Sequence, residues 1–174
     1  NRAIAEAVKL EMEADPNVIL LGEDVINRGG GLSVCLGIPE AFPDRCFDMP
    51  ICESGYSHFA NGAAVAGLRP IVDLMFSDFG YIAGDAIVSN AAKFRFNSQG
   101  RINVPVVFMY ANGGRGTFGS VGSGSTHSQC SENWYGNIPG LKIVAPYYAD
   151  DALGLMRASI RDNDPVVFYY HLGS

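Results

Sequence analysis

Charge is scarce in this chain. Only 17% of its residues are Asp, Glu, Lys or Arg, against 48% hydrophobic, a low share for a free-standing domain. Either the core is unusually well filled or much of the surface meets partner chains. The net charge is −6 and no Lys/Arg run interrupts it, which argues against nucleic acid or an anionic membrane as partner. Histidine is as rare, with His58, His127 and His171 only. The cysteines Cys35, Cys46, Cys52 and Cys130 lack C-x-x-C spacing. That leaves no zinc signature and points to reduced thiols in a cytosol-like compartment. No stretch reaches the roughly 18 apolar residues of a membrane span, and the opening residues show no signal-peptide pattern. No Walker A motif occurs. Residue 1 already sits at a helix start, so further sequence is expected upstream.

The 174 residues fit one domain with a substantial core. Asn1 is placed to cap a helix through Ile4, Val8 and Met12, ending near Asp15-Pro16. Val18 to Leu21 reads as a buried strand and Arg45 to Asp48 as another. Between them, Asn27 to Gly31 reads as a mobile glycine-rich loop. A helix is expected over Tyr56 to Ala66, a strand over Pro70 to Leu74 and a long helix over Asp78 to Phe94. Val104 to Tyr110 reads as a strand, Asn112 to Ser125 as a glycine- and serine-rich loop, and Glu132 to Tyr135 as a short helix. A strand at Lys142 to Ala145, a helix at Asp150 to Arg161 and a strand at Val166 to Tyr170 complete the order. Short, continuously apolar strands separated by helices predict an α/β fold: a mostly parallel sheet with helices on both faces. Sites in such sheets lie at the carboxyl ends of the strands.

Glu53 stands out. It is a carboxylate within Met49-Pro50-Ile51-Cys52-Glu53-Ser54-Gly55-Tyr56, followed by the small-residue segment Phe59 to Gly67. An acid packed so tightly needs a specific partner or keeps its proton, and such acids carry proton chemistry. His127, in Thr126-His127-Ser128-Gln129, leaves a polar loop. A lone histidine is most often structural, but this setting suits a general acid/base or an oxyanion partner. Ser128 and Cys130 lack a base–orienter pair for nucleophilic work. His58 and His171 are weaker candidates. Phe76, Phe79 and Tyr81 are either core or an aromatic platform for a flat heterocycle. Gly114-Arg115-Gly116-Thr117-Phe118-Gly119 is formally a dinucleotide fingerprint. The glycines and serines that follow cannot open a packed helix, so a substrate-side loop is the better reading.

The ordered series Gly22-Glu23-Asp24-Val25, Met49 to Gly55, Gly67-Leu68-Arg69-Pro70, Phe76-Ser77-Asp78-Phe79, Asn90-Ala91-Ala92-Lys93, His127-Ser128-Gln129 and Pro139-Gly140-Leu141-Lys142 resembles the β subunit of thiamine-diphosphate-dependent 2-oxo acid dehydrogenases. The match covers nearly the whole chain and falls on the pyrimidine-binding domain, shared more distantly with transketolase. The family's C-terminal domain and its GDG…N motif do not occur here. The resemblance implies a three-layer thiamine-diphosphate-binding fold. It also implies oxidative decarboxylation of a 2-oxo acid with acyl transfer to lipoamide, carried out only with an α subunit that holds the diphosphate and Mg2+. By that resemblance Glu53 bonds the aminopyrimidine ring, Phe79 stacks on it, Met75 lines the pocket, Glu23 supports it, and His127 faces substrate and assists acylation of lipoyl groups. A potassium site in some relatives maps onto Val106, Ser159, Ile160, Asp162 and Asp164. Implied partners are the α subunit, a second β subunit in an α2β2 assembly, and a lipoyl-bearing acyltransferase, in cytoplasm or mitochondrial matrix. The isolated domain is expected to be inactive.

Three departures are set against this. Relatives usually carry a small residue at His58 and an apolar one at Asn61, and the loop from Gly114 to Thr126 looks longer than typical. Competing readings are a non-catalytic assembly module with a drifted pocket, and an acetoin-cleaving or transketolase-type enzyme.

Overall fold

The computed structural model describes residues 1–113 and 123–171. Its centre is a six-stranded parallel sheet made of β1 (Val18–Gly22), β2 (Cys46–Asp48), β3 (Arg69–Phe76), β4 (Val107–Asn112), β5 (Lys142–Val144) and β6 (Val166–His171). The strands lie in the order β2-β1-β3-β4-β6-β5. Alternate side chains of each strand enter opposite layers. Leu20, Ile71, Val107, Met109 and Phe168 pack on one face, under α1 (Arg2–Ala14) and α7 (Ala149–Arg161). Leu21, Val72, Leu74, Phe108 and Tyr110 pack on the other, under α4 (Glu53–Val65) and the segment 83–91. The predicted three-layer architecture is therefore present, and every predicted strand exists with its ends shifted by a few residues.

The first helix runs as the periodicity predicts, with Ile4, Val8 and Met12 buried. Asn1 occupies the N-cap position without a side-chain cap bond; its amide donates to Leu32 O instead, at 3.2 Å. Residues expected to form a glycine-rich loop after β1 begin as a helical turn, α2 (Val25–Arg28), before Gly29 and Gly30 adopt positive φ. The short helix α3 (Ile38–Ala41) follows.

The long helix predicted over Asp78 to Phe94 is a correction. It is three pieces: a 3-10 turn at Ser77–Tyr81, a π-helix at Asp85–Ala91 and α5 (Ala92–Asn97). A Cβ on Gly80 would lie 2.8 Å from the Tyr135 hydroxyl, which keeps this turn glycine and close to the sheet. The amide of Asn61, from α4, donates to Ala86 O at 2.7 Å inside the π-helix; side chains inserted into a ladder in this way are a known cause of such irregularity. The short helix α6 (Glu132–Tyr135) falls where it was predicted.

The chain enters the sheet at β1, moves outward to β2, then returns to the other side of β1 as β3. The carboxyl ends of β1 and β3 therefore flank a topological switch point, where open α/β sheets bind ligands.

Candidate functional site at the carboxyl ends of β1 and β3

Glu23 follows β1 directly, and Glu53 opens α4 after β2. Glu53 is 6% exposed, and among the described residues no side chain donates to its carboxylate. Glu23 is half-buried with Oε1 fully enclosed and unpartnered. Burial, then the negative charges of Glu53 and Asp24, push the Glu23 carboxyl above the usual carboxylate range. Tyr56, one turn into α4, carries a buried hydroxyl without a partner. Burial, and then the negative charges of Glu23, Glu53 and Asp73, push the pKa of this hydroxyl well above the ordinary tyrosine value. Such a cluster of unpaired acids is costly in a fold that serves only itself.

The third acid, Asp73, was not singled out in the sequence as a site residue. It lies within β3, fully buried, and burial lifts its carboxyl to about 6. Its Oδ1 accepts the Met75 N–H at 3.1 Å and its Oδ2 lies 3.9 Å from Cys35 Sγ. That bond supports an unusual backbone. Met75 has φ +59, at an irregularity in the β3–β4 register between Asp73 and Phe76. Non-glycine residues held there cost energy and cluster at functional sites. A Cβ on Gly31 would collide with Met75 Cε, so the glycine loop after α2 closes over this residue. A polar residue interrupting Ile71-Val72-Asp73-Leu74 was the available signal.

Beyond Met75, the chain leaving β3 carries an aromatic cluster. Phe79 sits half-buried in the 3-10 turn. The His127 ring meets Phe76 and Phe79 edge-on, with centroids 5.1 and 5.2 Å away. Its Nδ1 lies 2.9 Å from Thr126 Oγ1. So Phe79 and His127, distant in sequence, are neighbours in space. Tyr81 is turned elsewhere, against Trp134. The formal dinucleotide fingerprint at 114–119 lies outside the described residues.

His58 does not bond to Glu53. Its Nδ1 faces Ser54 O at 2.7 Å and its Nε2 meets Asp85 at 3.2 Å and Asn90 at 3.3 Å. With Asn61 it ties α4 to the π-helix, so these two polar departures serve packing between two elements of the site layer. The potassium set lies at the opposite end of the sheet, by the amino ends of β4 and β6 and the end of α7. There Arg69 Nε donates to Ile160 O at 2.8 Å and Arg69 Nη2 to Asp162 O at 2.7 Å. Val106 O accepts from Val166 N and Ser159 O from Asp162 N. Lys142 Nζ sits 2.6 Å from the Asp162 carboxylate, and Asp164 pairs with Arg95 at 2.6 Å. The chain's own cations engage Ile160, Asp162 and Asp164, and backbone N–H groups engage Val106 and Ser159, so the set does not fit a potassium ion as it stands. Among the described residues no cluster of three His, Cys, Asp or Glu could hold a metal, and no helix is long and apolar enough to cross a membrane.

A family model described as transketolase, pyrimidine binding domain, matches residues 1–173. The chain belongs to that family. The pyrimidine-binding domain is 46% identical over 167 residues to the pyruvate dehydrogenase E1 component subunit beta-1, mitochondrial, of Arabidopsis thaliana, covering 95% of this chain and 45% of that protein. It is 43% identical over 166 residues to the corresponding subunit beta of Bos taurus, with the same shares of each. The chain thus spans about half the length of the curated relatives it matches. Among solved structures, a split-gene transketolase described as an inactive beta4 tetramer aligns over 98% of this chain and 50% of its own, with a TM-score of 0.76 at 18% identity. That likeness confirms the α/β fold of the pyrimidine-binding domain.

Proposed function

We propose that this domain is the pyrimidine-binding half of a thiamine-diphosphate-dependent 2-oxo acid dehydrogenase, acting as β subunit with an α partner. The observation that carries this reading is the pair Glu53 and Glu23: a buried carboxyl with no donor beside an enclosed, unpartnered oxygen, at the switch point of the sheet. An aminopyrimidine offers a ring nitrogen and an amino group to such acids. Phe79 and Met75 supply the flat apolar surface for its ring. Glu53 then exchanges a proton at the ring nitrogen, Glu23 holds the neighbouring polar edge, and His127 stands at the rim facing substrate. When bound, thiamine diphosphate supplies the electron sink for decarboxylation.

On this reading the diphosphate and Mg2+ are held by the α subunit, as the family resemblance implies. The 43–46% identity to pyruvate dehydrogenase subunits favours pyruvate and acyl transfer to a lipoyl-bearing acyltransferase. An α2β2 assembly accounts for the low charge content. Unpaired cysteines suit a reducing compartment, cytoplasm or matrix. The isolated domain is expected to turn over nothing, because half of the cofactor's contacts are elsewhere. The test is assembly of the full-length chain with a GDG-bearing α subunit, followed by measurement of CO2 release from pyruvate. Activity that collapses in Glu53→Gln supports the reading. A wild-type assembly that binds no thiamine diphosphate by calorimetry would favour a non-catalytic module.

A further inference from the structure

We infer that Asp78 is a positioning residue for His127, acting as a latch on Gln129; its effect on acyl transfer rests on the function proposed above. Asp78 is 8% exposed, and among the described residues no cation pairs with it. Its two oxygens serve one residue instead. Oδ1 accepts the Gln129 side-chain amide at 2.7 Å, and Oδ2 accepts the Gln129 backbone N–H at 3.3 Å. Ser77 Oγ, the preceding residue, donates to Gln129 O at 2.7 Å. The backbone and side chain of Gln129 are thus taken up by two adjacent residues of the 3-10 turn. Two of these bonds are charge-assisted, the strong kind, and with the neutral Ser77 bond they fix both position and orientation.

The turn is itself anchored. Tyr135 Oη donates to Gly80 O at 2.8 Å and meets Tyr110 Oη at 3.2 Å. Tyr110 stacks on Tyr135 and Tyr169, and all three rings are fully buried. Ser131 Oγ, bonded to Tyr169 Oη at 3.0 Å, also reaches Ser77 O at 3.4 Å. The turn carrying Phe79 is therefore a rigid element, and Asp78 is where it grips the segment carrying His127.

His127 has little else to hold it. Residues 123–130 form neither helix nor strand. Among the described residues His127 itself bonds only its neighbour Thr126 and, through its backbone N–H, Gly124 O at 3.3 Å. Its ring lies between Phe76 and Phe79 because Gln129, two residues on, is clamped to the turn that bears Phe79. Displacing a reacting group by about 1 Å can cost about a hundredfold in rate.

The experiment has two arms. In the full chain, hydrogen–deuterium exchange is followed across residues 123–131 in wild type and Asp78→Asn, which keeps the shape and removes the charge. Exchange there should rise about tenfold, the loss expected for one charge-assisted bond, with strand β4 unchanged. Equal exchange in the two proteins overturns the latch. In the assembled enzyme, lipoyl acylation is compared with decarboxylation read through an artificial electron acceptor. The ratio of the two should fall about tenfold in Asp78→Asn. It should recover to within about threefold when Gln129→Glu is added, which swaps acid and amide across the same pair. Equal loss of both rates, or no recovery in the double exchange, overturns the positioning role. If the wild-type assembly releases no CO2, the proposed function fails, and the exchange arm still decides whether the latch exists.

Discussion

Two glutamates are almost equally buried in this fold, and their surroundings are opposite. Glu11, 3% exposed, joins α1 to α7: Arg157 Nε and Arg161 Nε each donate to its carboxylate at 2.7 Å, and Arg161 Nη2 at 2.8 Å. Glu53, 6% exposed, has no donor among the described residues and a second acid nearby. A buried acid that completes its hydrogen bonds within the chain is part of the scaffold. One left without them is waiting for a ligand. The same residue type at the same depth is thus sorted into structure or chemistry by whether its partners are internal.

Exchanging each acid in turn should break the comparison most visibly at Glu53. In the assembled enzyme, Glu53→Gln should lower kcat by about a hundredfold or more, the range for loss of a positioned proton-transfer group. The melting temperature should hold or rise, because no hydrogen bond among the described residues depends on this carboxyl. A melting temperature that drops along with unchanged turnover would reassign Glu53 to the scaffold.

At Glu11 the pattern should invert. Burial alone would push its carboxyl up, but the hydrogen bonds and charges of Arg161 and Arg157 more than offset this and leave it below the ordinary range. Glu11→Ala should cost about 2–3 kcal/mol in urea unfolding, at the low end for a broken buried pair because the arginines are partly exposed. Turnover per folded molecule should not change. Its contribution is present above the ordinary carboxylate range and is lost as pH falls through the depressed value.

Asp73 tests the same distinction through pH. Its carboxyl is raised from the ordinary 3.8 to about 6. A raised acid favours the fold below the unfolded value and loses that contribution as pH rises through the folded one. Asp73→Asn retains an acceptor for the Met75 N–H and removes the charge. Relative to wild type it should therefore gain about 2 kcal/mol of stability between pH 4 and pH 7, measured as the difference between two unfolding series. A flat difference would mean that Asp73 is solvated or paired.

How much of this was legible in the chain follows from the same physics. Runs such as Val18 to Leu21 and Val166 to Tyr170 fix buried parallel strands because both faces of the sheet are covered. Glu53 was conspicuous because nothing apolar needs a carboxylate. The 78–94 helix misled because its local composition is helical, whereas Gly80 pressed against Tyr135 and Asn61 bonded into the π-helix are tertiary constraints that no local pattern carries. The left-handed Met75 was equally hidden, since its cause is the Asp73 carboxylate and the register change beside β4. The pairing of Asp78 with Gln129 joins residues 51 positions apart; the motifs containing them were visible, but their contact depends on the fold.

The smallest effect is expected where the scaffold supplies its own cations. The carbonyls of Ile160 and Asp162 accept from Arg69, and the Asp162 carboxylate, held below the ordinary range despite burial by Lys142 and the Asp164 N–H, is already neutralised. A potassium ion would have to displace a guanidinium from two of its ligands and sit close to two fixed positive charges. Replacing K+ with Na+ at constant ionic strength should therefore move the melting temperature of the full chain by less than about 1 °C, since a ligand stabilises only in proportion to its occupancy of the folded state. Arg69→Met should remove that competition and make the melting temperature depend on K+. A wild-type protein that already melts several degrees higher in K+ would show that Arg69 yields these carbonyls, and would place this end of the sheet with Glu53, as a site completed from outside, rather than with Glu11.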